Sequence, residues 1–286
     1  RLIPPPSVTI HHVIKTSVCL ALCLSASQSA VAQGYSELVD SAYASLERND
    51  LGRAAGYVRL AIEAEPSNER NVLLFANLGS IQHEQGLLEE AARSYSQALS
   101  FRPTAMPLLL ARASTYMALG AEDKAYVDYC NVLDQDIENR EALTFRAYIA
   151  VHQRLYDVAR ADYGRLLTLD PQDANSRFGL AILNQKQGRL VEATEQLSSL
   201  IASHPAEADY LVARANVFAD RELYDLALLD MEAALKLTPQ DPYAYASRAA
   251  IYLRMGRHKK QARHDLDRAA QLGLTRADLS ELYDKL

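Results

Sequence analysis

The chain is poor in the residues that usually carry chemistry. Its 286 residues hold no tryptophan, three cysteines, four methionines and seven histidines. Cys19 and Cys23 lie near the amino end, which leaves Cys130 alone in the remainder, unable to close an internal disulfide. Its mid-helix setting predicts a buried, inert thiol. The histidines (His11, His12, His83, His152, His204, His258 and His264) are scattered. There is no His-Glu-x-x-His, no Cys-x-x-Cys and no dense acidic loop, so no metal or cofactor is expected. A Gly-x-Ser-x-Gly elbow and a phosphate-cradling glycine loop are also missing, which argues against an enzyme. Positive charge is not in excess: 30 basic residues face 36 acidic ones, for a net −6. Without a basic footprint, nucleic acid is excluded as the main partner. The longest apolar run, Val18–Leu24, is too short to cross a bilayer comfortably.

What is present is a period. Alanine recurs at Ala91, Ala125, Ala159, Ala193 and Ala227, in steps of 34. A second ladder of Gly79, Ala113, Ala147, Ala181, Ala215 and Ala249 keeps the same step. Pro103, Pro171, Pro205 and Pro239 make a third, with Ile137 on the vacant rung. A fixed period of this length means stacked small units, not one globular core. Within a unit, apolar residues fall at helical spacing on both sides of a glycine slot (Gly86, Gly120, Gly188 and Gly256), and proline ends the second run. Each unit is therefore helix, turn, antiparallel helix. The small residues mark the crossings where two helices must approach closely. Tyr95, Tyr129 and Tyr163 share a later slot and are expected in the core.

The pattern Leu78-Gly79, Gly86, Ala91, Tyr95, Ala98, Pro103 resembles the tetratricopeptide repeat (TPR), a 34-residue helix–turn–helix family. The resemblance implies an all-α solenoid, a right-handed superhelix of about seven units at 35–68, 72–105, 106–139, 140–173, 174–207, 208–241 and 242–275. Residues 276–286 read as an amphipathic capping helix. In this family the first helices line a concave groove that receives a peptide or a partner helix. Carried over by position, Asn77, Tyr148, His152, Phe178, Ile182, Lys186, Asn216 and Tyr243 would line it. The slots of the family's carboxylate clamp hold Leu73, Ala76, Leu110, Ala111, Glu141 and Thr144, so a chaperone-tail ligand is not expected.

Two charge patterns remain. Arg112, Arg146, Arg214 and Arg248 each precede the first-helix alanine, and the same units carry Asp128, Asp162, Asp230 and Asp265 late in the second helix. They predict an Arg–Asp ion pair inside each such unit. A basic run in the last repeat, with Arg254, Arg257, Lys259, Lys260 and Arg263, reads either as a solvated face or as a patch for an acidic partner or an anionic envelope surface.

Residues 1–32 read as a secretory signal: Lys15, the apolar run, then Ala30-Val31-Ala32, with the mature chain expected to start at Gln33. A competing reading takes Leu20-Ala21-Leu22-Cys23 as a lipoprotein box with an acylated Cys23, tethering the protein to a membrane in an assembly machine. The expectation is an exported, non-catalytic scaffold of the bacterial periplasm or envelope that binds another protein or peptide; the alternatives are the membrane-tethered lipoprotein and an enzyme whose acids and bases come together only in three dimensions.

Overall fold

The structure, a computed structural model, describes residues 30–256 and 258–286. Most of the expected leader, with Cys19 and Cys23, and Arg257 of the basic run lie outside the described residues. Among those described there are fifteen α-helices and no strand. They are α1 (Ala30–Glu47), α2 (Leu51–Ala64), α3 (Asn71–Glu84), α4 (Leu88–Phe101), α5 (Met106–Ala118), α6 (Glu122–Leu133), α7 (Arg140–His152) and α8 (Tyr156–Leu169). Then follow α9 (Ala174–Lys186), α10 (Leu190–Ser203), α11 (Ala208–Asp220), α12 (Tyr224–Leu237), α13 (Pro242–Arg254), α14 (Lys259–Gln271) and α15 (Arg276–Tyr283). Helix α1 begins inside the segment read as leader, before the expected start of the repeats at Tyr35. The helices group into two compact units, one ending at Ile149 and the other running Ala150–Leu286, with the division inside α7.

Each hairpin turns through one left-handed residue. Gly188 has φ 75° and Gly256 has φ 71°, but Arg154 and Glu222 stand in the same slot at φ 61° and 59°. The turn is closed by backbone bonds such as Leu223 N–H to the Phe218 carbonyl at 2.8 Å. Side chains cap several starts: Asp173 accepts from the Ser176 amide, Asp241 from the Tyr243 amide, and Thr275 forms a capping box with Asp278. No described helix is long and apolar enough to cross a membrane.

The small-residue ladders are where the helices meet. Ala91, Ala125, Ala159, Ala193 and Ala227 are fully buried, as are Ala113, Ala147, Ala181, Ala215 and Ala249. At Gly79 an added Cβ would lie 2.9 Å from the Tyr95 ring, so the aromatic occupies the space that a side chain would need. Tyr163 instead reaches forward to the next hairpin, where a Cβ on Gly179 would fall 2.3 Å from its ring. Tyr129 is buried and stacked on Phe145 at 5.6 Å.

A buried polar link joins the helices of most hairpins, and it comes in two forms. Arg112 donates from Nε and Nη2 to both oxygens of Asp128 at 2.8 and 2.7 Å. Arg214 does the same to Asp230, and Arg248 to Asp265, at 2.7–2.8 Å. Each aspartate is nearly inaccessible, and each arginine keeps about a fifth of its side chain exposed. Such bidentate, charge-assisted pairs fix geometry well, and removing one partner of a buried pair costs about 3–5 kcal/mol. Arg112 also lies over the Tyr116 ring at 5.9 Å, and Arg214 over Phe218 at 5.6 Å. The fourth expected pair, Arg146 with Asp162, falls across the division between the two units and stays a sequence expectation.

Where leucine replaces the arginine, the link moves. In the hairpin with Leu78, Gln82 and Ser94 share a hydrogen bond of 2.6 Å. In the hairpin with Leu180, Asn184 donates to Gln196 at 3.0 Å and also receives Arg160 Nη2 at 2.9 Å. Ser94 and Gln196 stand in the aspartate slot; Gln82 and Asn184 stand where the arginine-bearing hairpins have Tyr116 and Phe218.

The arginines also reach backward. Nη1 of Arg112 donates to the Ser96 hydroxyl at 3.0 Å, Nη1 of Arg214 to the Ser198 hydroxyl at 3.0 Å, and Nη1 of Arg146 to Cys130 Sγ at 3.7 Å. Cys130 is half-buried, and its sulfur accepts a hydrogen bond between neighbouring hairpins, which corrects its reading as a merely buried thiol.

Candidate partner-binding surface

Within Ala150–Leu286 the first helices adjoin one another, α9 against α11 and α11 against α13. The second helices pack on their neighbours' first helices, α10 on α11 and α12 on α13, not closely on each other. A stack that is tighter on one side bends towards it, so α9, α11 and α13 form the inner face of this unit.

That face carries an aromatic group and a polar line. The Phe178 and Tyr210 rings are tilted by 49° at 5.0 Å, and His204 meets Tyr210 edge-on at 6.2 Å. Gln185 Nε2 donates to Asp220 at 2.7 Å, and Arg254 Nη1 donates to the other Asp220 oxygen at 2.8 Å. Three successive first helices are thus tied through one carboxylate. Tyr243 is 49% exposed at the start of α13, Lys186 and His152 are exposed, and Asn216 is half-buried on α11.

Ile182 does not belong to an open face. It is 6% exposed, because α9 sits against both α8 and α11 and the aliphatic chain is taken into that packing. Asn77 on α3 and Tyr148 on α7 are half-buried and belong to the other unit. Of the remaining expected groove residues, Phe178, Lys186, Asn216 and Tyr243 stand on α9, α11 and α13, and His152 ends α7. Sequence reasoning missed Tyr210, Gln185 and Asp220, which contribute by touching residues of adjacent hairpins. In the other unit, burial pushes the pKa of the Glu141 carboxyl up to about 6 at the start of α7. Burial also lowers that of His83, whose Nδ1 is 3.0 Å from the Thr115 hydroxyl.

The basic run is broken up by internal contacts. Arg254 is engaged by Asp220, and Lys259 donates to the Leu286 carbonyl oxygen. Lys260 edges a shallow pocket of about 250 Å³ with Arg248, Tyr252, Gln261, His264 and Asp265, whose carboxylate is already held by Arg248. Arg263 is exposed. Among the described residues no three His, Cys, Asp or Glu side chains group as a metal site would need.

Profiles of the tetratricopeptide repeat match residues 150–217 and 74–104. The crystal structure of a tetratricopeptide repeat protein from Parabacteroides merdae is 30% identical, with a TM-score of 0.78 over 88% of this chain and 98% of that one. The chain belongs to the tetratricopeptide repeat family. YrrB, described as a TPR protein with an unusual peptide-binding site, shares the fold at 21% identity and a TM-score of 0.52, over 67% of this chain and 97% of its own. Protein O-mannosyl-transferase TMTC3 of Homo sapiens is 26% identical over 198 residues, 68% of this chain. The chain spans about a fifth of that relative, 21% of its length.

Tetratricopeptide repeats mediate protein–protein contacts; of the aromatic and amide groups named on α9, α11 and α13, Tyr243 is exposed, Phe178 and Asn216 are half-buried and Tyr210 is buried. The slots of the family's carboxylate clamp hold no cation: Leu73, Ala76, Leu110, Ala111, Glu141 and Thr144 occupy them, all half-buried.

Proposed function

We propose that this TPR protein is a non-catalytic adaptor that holds an extended, partly apolar peptide against the inner face of α9, α11 and α13. The observation that carries the reading is the exposed Tyr243 on α13 together with the half-buried Phe178 on α9, whose ring rests on the buried Tyr210, with the half-buried Asn216 on the helix between. The Tyr243 ring and the open part of Phe178 offer stacking surface for apolar side chains. The Asn216 amide offers one donor and one acceptor group to a peptide backbone. Asp220 is paired with Arg254 and Lys186 supplies a cation near the ends of the first helices, whereas Asp209, Glu207 and Asp241 make the end near Tyr210 acidic, which suits a peptide with a basic residue there. The unusual peptide-binding site described for YrrB, a protein of the same fold, is consistent with this use.

The test is selection from a displayed peptide library on the full chain, followed by affinity measurement of the enriched peptides. Tyr243→Ala/Asn216→Ala is expected to weaken them by about tenfold or more, as loss of an aromatic anchor does. Equal affinity for wild type and variant would refute the inner-face site.

The leader pattern supports, in this reading, an exported protein of the bacterial periplasm or envelope. Mass spectrometry of the native protein is expected to find Gln33 as its first residue, and an intact apolar run upstream would refute export by cleavage.

A further inference from the structure

Helix α12 has a second apolar face that no part of the described structure covers. Its inner seam is ordinary: Ala227, Met231, Ala234 and Leu235 are buried, and Asp230 takes the Arg214 pair. Its outer side carries Leu226, Leu229 and Leu237 at 45%, 62% and 44% exposure, with Leu223 at 38% just before the helix. Ala233 stands between them in sequence, half-buried against the Ala208, Leu211 and Ala234 cluster, so the open part of the ridge is its leucines. The spacing 226, 229, 233, 237 keeps these residues on one line, about 16 Å long at 1.5 Å per residue. A surface helix ordinarily turns a polar face to water. The neighbouring second helices do so: the corresponding slots of α10 hold Glu192, Glu195, Ser199 and Ser203, and those of α14 begin with Gln261, His264 and Arg268. Neither neighbouring second helix carries such a ridge.

Charge says what fits it. Exposed Glu222, Asp225 and Glu232 flank the ridge, Glu192 and Glu195 face outward on the preceding second helix, and Lys236 is the one base of α12. A second copy packed antiparallel would set Asp225 and Glu232 against the same carboxylates. Four leucines also cover much less than the roughly 1,200–2,000 Å² that a stable interface buries. An anionic lipid surface would meet the carboxylates of α10 and α12, against which stand Lys236 and, one second helix further on, Lys260 and Arg263.

We infer that the α12 ridge docks an amphipathic helix of a partner protein, with leucine-type residues at three- and four-residue spacing and lysine or arginine on its flanks. Side-by-side packing would bury the leucine line, and the partner's bases would pair with Asp225, Glu232 and the α10 glutamates. This surface is separate from the inner face, so neither reading depends on the other.

The probe is a synthetic helix of about 20 residues with leucines on one face and lysines beside them, a length of about 30 Å. A glutamate-flanked version of the same peptide is the control. Binding to the full chain is followed by fluorescence anisotropy. The lysine peptide is expected to bind, the glutamate peptide not, and binding should weaken as salt rises. Leu226→Gln/Leu229→Gln should reduce affinity at least about tenfold, while Tyr243→Ala leaves it unchanged. Because both leucines are exposed, the thermal melt of the double variant should match that of the wild type. Equal binding by the leucine variant overturns the inference. So does equal binding of the glutamate peptide. A concentration-dependent dimer abolished by Leu229→Gln assigns the ridge to a second copy instead. Loss of binding to phosphatidylglycerol vesicles in the same variant assigns it to lipid.

Discussion

The turn slot supports a quantitative prediction, because it contains its own controls. Gly188 and Glu222 occupy equivalent positions one repeat apart, with φ 75° and 59°. An L-residue held in the left-handed region costs about 1–2 kcal/mol relative to its preferred conformations. Glycine removes that strain but returns about 0.5–1 kcal/mol through the freer unfolded chain. Glu222→Gly is therefore expected to stabilise by roughly 0.5–1 kcal/mol. Nothing offsets this, since the Glu222 side chain is exposed and has no described hydrogen bond or ion pair. Gly188→Ala should do the opposite by a similar amount. A Cβ at Gly188 meets no atom within 4 Å, so the loss would come from backbone conformation alone. At about 2–4 °C per kcal/mol for a chain of this size, the two variants should bracket the wild-type melting temperature, several degrees apart. Repeat arrays open locally, so amide exchange of the Leu223 N–H, bonded to the Phe218 carbonyl, provides a second readout at the hairpin itself. If Glu222→Gly left both measurements unchanged while Gly188→Ala was harmless, strain in this slot would not matter to stability.

Three further outcomes are expected. Cys130→Ser should be nearly neutral, because serine already fills that slot at Ser96 and Ser198, while Cys130→Ala should cost about 1 kcal/mol in urea unfolding by leaving Arg146 without that acceptor. Tyr129→Phe should stabilise by about 1 kcal/mol, since the Tyr129 hydroxyl is buried without a hydrogen-bond partner and the stack on Phe145 would remain; a loss of stability would reveal a partner. Glu141 is raised from 4.5 to about 6, so the folded state binds its proton more tightly than the unfolded one, and that stabilisation is present below pH 4.5 and lost as pH rises through 6. Glu141→Gln should therefore gain up to about 2 kcal/mol over wild type at pH 8, less whatever solvent screens, and nothing at pH 4 in paired urea melts.

The repeat architecture was legible because its constraint is local and recurs: a crossing that admits only a small side chain leaves alanine or glycine at the same phase every time. The Arg–Asp link was legible for a related reason, since both ends recur together. Its substitute was not. When Leu78 or Leu180 replaces arginine, the bond shifts to Gln82 or Asn184, a slot elsewhere filled by Tyr116 or Phe218, so no residue type persists along the column. Gly179 was missed because the ring that needs its space, Tyr163, belongs to the preceding hairpin. Ile182 was placed on the open surface because position in the repeat ignores how closely α9 and α11 approach. The α12 ridge was visible in principle, by comparing outward slots between repeats, but apolar spacing alone gives no sign of which face neighbours will cover.

The backward reach of the arginines makes the order of hairpins matter. Arginine follows a hairpin ending in Ser96, Cys130, Ser198 or Glu232, each able to accept a hydrogen bond; Leu78 and Leu180 follow Arg59 and Gly164, which offer no side-chain acceptor. The joints are thus of two chemical kinds, matched on both sides like keyed connectors. A 34-residue block can be duplicated or excised in frame without penalty only when the new junction pairs like with like. Removing residues 174–207 would place Arg214 after Gly164 and strand one edge of its guanidinium, whereas removing 106–139 would set Arg146 after Ser96 and preserve the joint.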